Sequence, residues 1–272
     1  MNSVPADATS AAPLLVARDI RVHFGGLHAV DGASLEVPER SIVALIGPNG
    51  AGKTTMFHAL SGFVKVDTGS VLLGGRDVTR KSAHARPGLG MVRTFQIPTV
   101  FTRMRVRDNL LVAGGHARER LSTALLPGVG RRRAAEVERH ADELLERFRL
   151  APLANEYAGE LSGGQRKLLE LARALMSKPR LLLLDEPLAG VNPTLGNELL
   201  DHIVDLRDSE GMTVLFIEHD MHAVMGISDH VVCMAQGAVI ASGTPDIVAH
   251  DPAVIDAYLG AAVAIEEGTA HD

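Results

Sequence analysis

SIVALIGPNGAGKTTMFHAL, residues 41–60, is the stretch whose reading decides the fold. Ile42 to Ile46 is an unbroken aliphatic run, short enough for a buried strand and bounded by a glycine turn. GPNGAG then gives a loop, and KTTMFHAL opens a helix. Gly47, Gly50 and Gly52 let successive N–H groups curl inward around an anion without Cβ clashes. The pattern GxxxxGK[ST] between a strand and a helix predicts a phosphate loop made of Gly47, Pro48, Asn49, Gly50, Ala51, Gly52, Lys53, Thr54 and Thr55. In that reading the Lys53 ammonium meets the β- and γ-phosphates. The Thr54 hydroxyl ligates Mg²⁺, and Thr55 adds a donor at the helix start. The expected ligand is a nucleoside triphosphate, and the expected class is α/β.

Two further strands point at the same edge. PRLLLLDEPLAGVNP, 179–193, is a four-leucine strand that ends in Asp185 and Glu186. Polar residues at the carboxyl end of a buried parallel strand lie where α/β folds bind ligands. Asp185 would hold Mg²⁺, directly or through water, and Glu186 would act as general base on an attacking water. The plainer alternative is an Asp-Glu pair that caps a turn before Pro187. GMTVLFIEHDM, 211–221, repeats the pattern, with a strand from Thr213 to Ile217 and His219 just past its end. His219 could donate to the γ-phosphate or hold the water, or be an ordinary surface histidine. His222 and His230 lack carboxylate or thiolate partners at metal-site spacing and are assigned to a solvated helix face.

LSGGQRKLLELARALM, 161–176, is an amphipathic helix with Leu168, Leu171, Ala172 and Leu175 on one face. Arg166, Lys167, Glu170 and Arg173 take the other. Ser162 is a good N-cap, and Gly163 and Gly164 bare the backbone at the positive end of the helix, followed by Gln165. Such an end suits an anion, or is simply a capped turn.

Composition narrows the class. The 272 residues carry a formal net charge of −6, so no basic excess argues for nucleic acid. With 46% hydrophobic residues, 3% aromatics and no Trp, the chain suits an aliphatic core. Cys233 is the only cysteine, which excludes an internal disulfide and reads as a buried, inert thiol. No apolar run approaches the ~20 residues that span a bilayer. MNSVPADATSAAP lacks the features of a signal peptide and reads as a disordered tail, residues 1–13. The expectation is a cytoplasmic, soluble chain.

The order phosphate loop, LSGGQ, DEP strand resembles the ATP-binding cassette family from Leu14 to about Gly260. The resemblance implies a single ATPase domain over 14–260, with a P-loop NTPase (RecA-like) core, an antiparallel β-subdomain and a helical subdomain inserted at about 97–162. A tail follows over 261–272. It further implies two cassettes set head to tail, each ATP lying between one chain's phosphate loop and the other's Ser162, Gly163, Gly164 and Gln165. By the same resemblance Phe24 stacks on adenine where Tyr is common, and Val30 walls the base. Gln96 in VRTFQIP reaches Mg²⁺ and the attacking water. Asn192 stands where the family usually has Asp. FGGLHAVDGASLEV, VRTFQIPTVFTRMRVRDNLLVA and DPAVIDAYLG narrow the likeness to the longer ATPase of branched-chain amino-acid importers; urea and amide importers use similar chains. An exporter ATPase, such as one for lipopolysaccharide, shares the core chemistry.

The partners thus implied are a second ATPase subunit (self or paralogue), two membrane permeases and, indirectly, an extracytoplasmic binding protein, with the chain at the cytoplasmic face of the membrane. One phosphate loop and one LSGGQ argue against two-cassette ribosome factors. The absence of sustained heptads argues against chromosome ATPases. In the helical segment, Val137, Ala141, Leu144, Leu145 and Phe148 share one face. The run Arg131-Arg132-Arg133 reads as a solvated helix start, or as a contact to anionic lipid.

Overall fold

The computed structural model describes residues 13–94, 100–116 and 129–259. Strands β1 (Pro13–Phe24), β2 (Leu27–Pro38), β4 (Thr68–Leu73) and β5 (Arg76–Asp77) form an antiparallel sheet of order β2-β1-β4-β5. A second sheet has the order β10-β9-β3-β8-β7-β6. Its strands are β3 (Ile42–Ile46), β6 (Met91–Arg93), β7 (Leu181–Asp185), β8 (Thr213–Ile217), β9 (His230–Ala235) and β10 (Ala238–Gly243). All neighbours in it are parallel except β10, which returns antiparallel on β9.

Every residue of β3, β7 and β8 is buried, as expected of parallel strands covered on both faces. The period of two divides them between two cores. Ile42, Ala44, Ile46, Leu182, Leu184, Val214 and Phe216 face the core built with α4 (Gly163–Leu175) and α5 (Pro193–Glu210). Val43, Leu45, Leu181, Leu183, Leu215 and Ile217 face the core beneath α1 (Lys53–Ser61) and the antiparallel sheet.

Helices α2 (Val106–His116) and α3 (Val129–Arg147) lie within the segment expected to be helical. Ala141, Leu144, Leu145 and Phe148 enter the first core, and Val137 packs at its margin. Buried Asn109 sews the approach to α2, accepting from Phe101 N–H at 2.8 Å and donating to the Arg105 carbonyl at 3.0 Å. Helices α6 (Met221–Ile227) and α7 (Pro245–Ala249) lead to a last described helix, 252–259. Among the described residues no helix is long and apolar enough to cross a membrane.

Two expectations need correction. Pro13 belongs to β1, paired with Pro38, rather than to a tail. His222 does sit in α6, but His230 opens strand β9 and its Nε2 lies 2.8 Å from Ser242 Oγ, so it is not on a helix face. The Arg131-Arg132-Arg133 run falls in the first turns of α3. The remainder of the expected tails, 1–12 and 261–272, and Gln96 lie outside the described residues.

Candidate nucleotide site

Strands β3, β8 and β7 are adjacent and parallel, so their carboxyl ends open on one edge. The structure brings the two groups expected there together: His219 Nε2 lies 3.2 Å from Glu186 Oε1. Gly47 follows directly from β3 in the left-handed region, φ +144°. A Cβ on it would lie 2.1 Å from the Met234 carbonyl oxygen, so only glycine passes.

Beyond this bend the loop could hold an anion. Helix α1 has no side-chain cap and no acidic residue in its first turn, so its leading N–H groups are left for a ligand. Lys53 is buried, and its ammonium donates to the carbonyls of Gly47 at 2.7 Å and Pro48 at 2.9 Å. Burial holds its pKa below the usual lysine value, against the opposing pull of Glu186 and Cys233. A buried cation parked on two loop carbonyls fits a triphosphate: the anion offers stronger acceptors than the carbonyls do. Ala51 is buried, whereas Asn49, Gly50 and Thr54 are exposed and Pro48 and Thr55 half-buried.

The acids differ in setting. Asp185 is buried, and Arg93 Nη2 donates to its Oδ2 at 2.6 Å. Arg93 also donates to Ser61 Oγ at 3.0 Å, and its guanidinium carbon lies 5.2 Å and 5.4 Å from the ring centroids of Phe57 and Phe63. Sequence reasoning passed over Arg93; its only signal was its place three residues before Gln96. Glu186 sits at φ +46°, an uncommon conformation for a non-glycine residue that persists because its N–H is held by the Ile217 carbonyl at 3.0 Å. Glu218, also passed over, is buried and ties the strand ends together. It accepts from Leu188 N–H at 2.8 Å and from His219 N–H at 2.9 Å.

Phe24 is half exposed at the tip of the β1–β2 hairpin, opposite Leu27, where a flat ligand could stack. Val30 is wholly buried in the second core and supports the hairpin from beneath. On the same hairpin His23, His28 and Asp31 gather their ligand atoms within 4.8 Å, but the Arg21 guanidinium already sits on Asp31 and supplies the positive charge.

Ser162 and Gln165 form a reciprocal capping box: Ser162 Oγ accepts from Gln165 N–H at 3.3 Å and Gln165 Oε1 from Ser162 N–H at 2.9 Å. Ser162 and Gly163 are exposed. Gly164 is not bare backbone: it is buried, and a Cβ there would lie 1.9 Å from Leu195 Cδ2. Part of the polar face of α4 is buried as well. Lys167 and Glu170 are buried, and Lys167 Nζ donates to the Glu186 carbonyl at 3.4 Å. Burial lowers the Lys167 pKa and outweighs the four surrounding carboxylates. Asn192 has a local task, capping α5 by accepting from Leu195 N–H at 3.0 Å.

A glycine phosphate loop, a buried carboxylate beside a Glu–His pair and a capped SGGQ helix on one α/β sheet define a nucleoside-triphosphatase of the cassette type. The family model described as ABC transporter matches residues 30–189, and one described as branched-chain amino acid ATP-binding cassette transporter matches 238–264. The chain therefore belongs to the ABC transporter family, in the group of ATP-binding subunits that hydrolyse ATP to power transport. The high-affinity branched-chain amino acid transport ATP-binding protein BraF of Pseudomonas aeruginosa is 44% identical over 92% of this chain and 99% of its own length. LivG of Escherichia coli K12, with the same description, is 43% identical over the same shares. Among solved structures, the ADP conformation of MJ1267, an ATP-binding cassette of an ABC transporter, superposes with a TM-score of 0.80 at 34% identity. It is covered over 92% of this chain and 100% of that one.

Proposed function

We propose that the chain is the ATPase of an importer for branched-chain amino acids, working at the cytoplasmic face of the membrane beneath two permease subunits. The observation that carries the chemistry is the Glu186–His219 contact at the edge where the phosphate loop begins. Lys53 exchanges the Gly47 and Pro48 carbonyls for phosphate oxygens, and the first-turn N–H groups of α1 complete the cradle. Thr54 and Asp185 would hold Mg²⁺, which supplies charge neutralisation on the phosphates when bound. Glu186 takes the proton of the attacking water while His219 holds the carboxylate in place. Phe24 stacks on the base.

The exposed Ser162–Gly163 end serves a partner's nucleotide in a head-to-tail dimer, because one chain carries one loop and one such helix. Cargo follows the relatives: end-to-end likeness to branched-chain amino acid ATPases, extended by the match over 238–264, supports that solute class. The test is uptake of labelled leucine by a strain lacking the chain. Restoration by the intact chain but not by Glu186→Gln is the expected result. Undiminished uptake in the deletion strain would overturn the cargo. For the dimer, mixing Lys53→Ala with Gly163→Asp chains should restore part of the ATPase rate. Unchanged hydrolysis by Gly163→Asp alone would refute the shared site.

A further inference from the structure

The motif DPAVIDAYLG has no part in the chemistry above, yet the structure brings its tyrosine to the phosphate loop. Helix 252–259 packs through buried Val254, and Tyr258 lies half-buried against the first core. The Tyr258 hydroxyl accepts from the Gly47 N–H at 2.9 Å, across 211 residues of sequence. Burial pushes the phenol up to about 12, so it stays protonated.

That N–H has no acceptor in the sheet. The ladder of β3 with β9 ends at Ile46 opposite Cys233, and its ladder with β8 ends at Leu45 opposite Ile217. Gly47 is buried, so without the phenol its N–H would seek another partner and the loop would shift to find one. Its other contacts leave little freedom. Its carbonyl accepts from Lys53, and the Met234 carbonyl fills the space where a Cβ would stand. The peptide that begins the phosphate cradle is therefore oriented from one side by the C-terminal helix and from the other by the catalytic lysine. A phenylalanine would fill the same space; only this hydrogen bond requires the hydroxyl.

We infer that Tyr258 is a positioning residue for nucleotide, which makes ATP affinity depend on the docking of the C-terminal helix. The inference rests on the nucleotide reading of the loop. Its test compares the full-length wild type, Tyr258→Phe and Val254→Ala for affinity toward a fluorescent ATP analogue, melting temperature and steady-state kinetics. The ¹⁵N-edited resonance of the Gly47 amide is followed beside them.

Tyr258→Phe should weaken nucleotide binding about five- to tenfold, the range for one lost neutral hydrogen bond. Melting should stay within about 2 °C of wild type. The maximal rate at saturating ATP should hold while KM rises, and the Gly47 resonance should shift. Val254→Ala instead cuts packing, so its melting point should fall by several degrees, as deletion of buried methyls requires. Nucleotide affinity of Tyr258→Phe within about twofold of wild type would overturn the inference. So would a melting point lowered as far as in Val254→Ala, which would mark the tyrosine as packing only. A wild-type chain that fails to bind the analogue would instead refute the nucleotide reading, a separate result.

Discussion

Arg93→Met tests the buried ion pair at Asp185. The side chains of Arg93 and Asp185 are 5% and 10% exposed, and their charged atoms are 2.6 Å apart. Methionine keeps an apolar stem against Phe57 and Phe63 but removes the charge, leaving Asp185 buried without its guanidinium. Breaking a buried pair from one side costs about 3–5 kcal/mol. At about 2–4 °C per kcal/mol for a domain of this size, the melting point should fall by roughly 6–20 °C. Scanning fluorimetry without nucleotide reads this directly. If Asp185 serves Mg²⁺, the metal returns positive charge to the carboxylate. The deficit should then shrink in Mg·ATP and persist in ATP with EDTA. A variant that melts within about 2 °C of wild type would refute the importance of the pair. A deficit that ignores Mg²⁺ would remove Asp185 from the metal site.

Other outcomes follow from the same geometry. Glu186→Gln keeps an amide oxygen for His219 but loses the base, so it should bind ATP and hydrolyse it at least ~100-fold more slowly; a near-normal phosphate-release rate would exclude the role. The same change removes the Glu186 charge that now raises the Lys53 pKa, so the alkaline limb of ATP binding should move to lower pH; an unmoved limb would count against that coupling. Phe24→Ala should weaken nucleotide binding by roughly 1 kcal/mol with little base preference, and Phe24→Tyr should be nearly silent in the same titration. Asn192→Ala should lose about 1 kcal/mol of stability in chemical denaturation while Asn192→Asp retains it; equal losses would mean the cap is not what Asn192 supplies.

The core of the site was legible because its signals are local. A five-residue apolar strand, a glycine loop and a helix start occupy consecutive positions; β3 and β8 end with their apolar runs, and β7 runs one residue past its leucines to Asp185. What escaped depends on tertiary neighbours. Lys167 and Glu170 belong to the polar side of an amphipathic pattern, yet both are buried, Lys167 among the acidic strand ends. Gly164 reads as bared backbone at a helix start and proves to be the gap that admits Leu195. Arg86, wholly buried with its guanidinium on the carbonyls of Leu60, Val78 and Lys81, gives no sequence sign of being anything but a surface arginine. Arg93 and Glu218 reach Asp185 and Leu188, 92 and 30 residues away in sequence, and no periodicity points to either contact.

The placement of β3 carries a cost during synthesis. Both of its neighbours in the sheet, β8 and β9, come from the last quarter of the chain. On the ribosome, Ile42 to Ile46 must therefore wait, apolar on both faces and with unsatisfied edges, until residues past 213 and then past 230 have emerged. Non-local parallel pairing of this kind slows folding and leaves sticky surface exposed meanwhile. A nascent chain arrested before β8 should thus be a chaperone client, whereas its β1–β2 hairpin, closed by neighbouring residues, can form early.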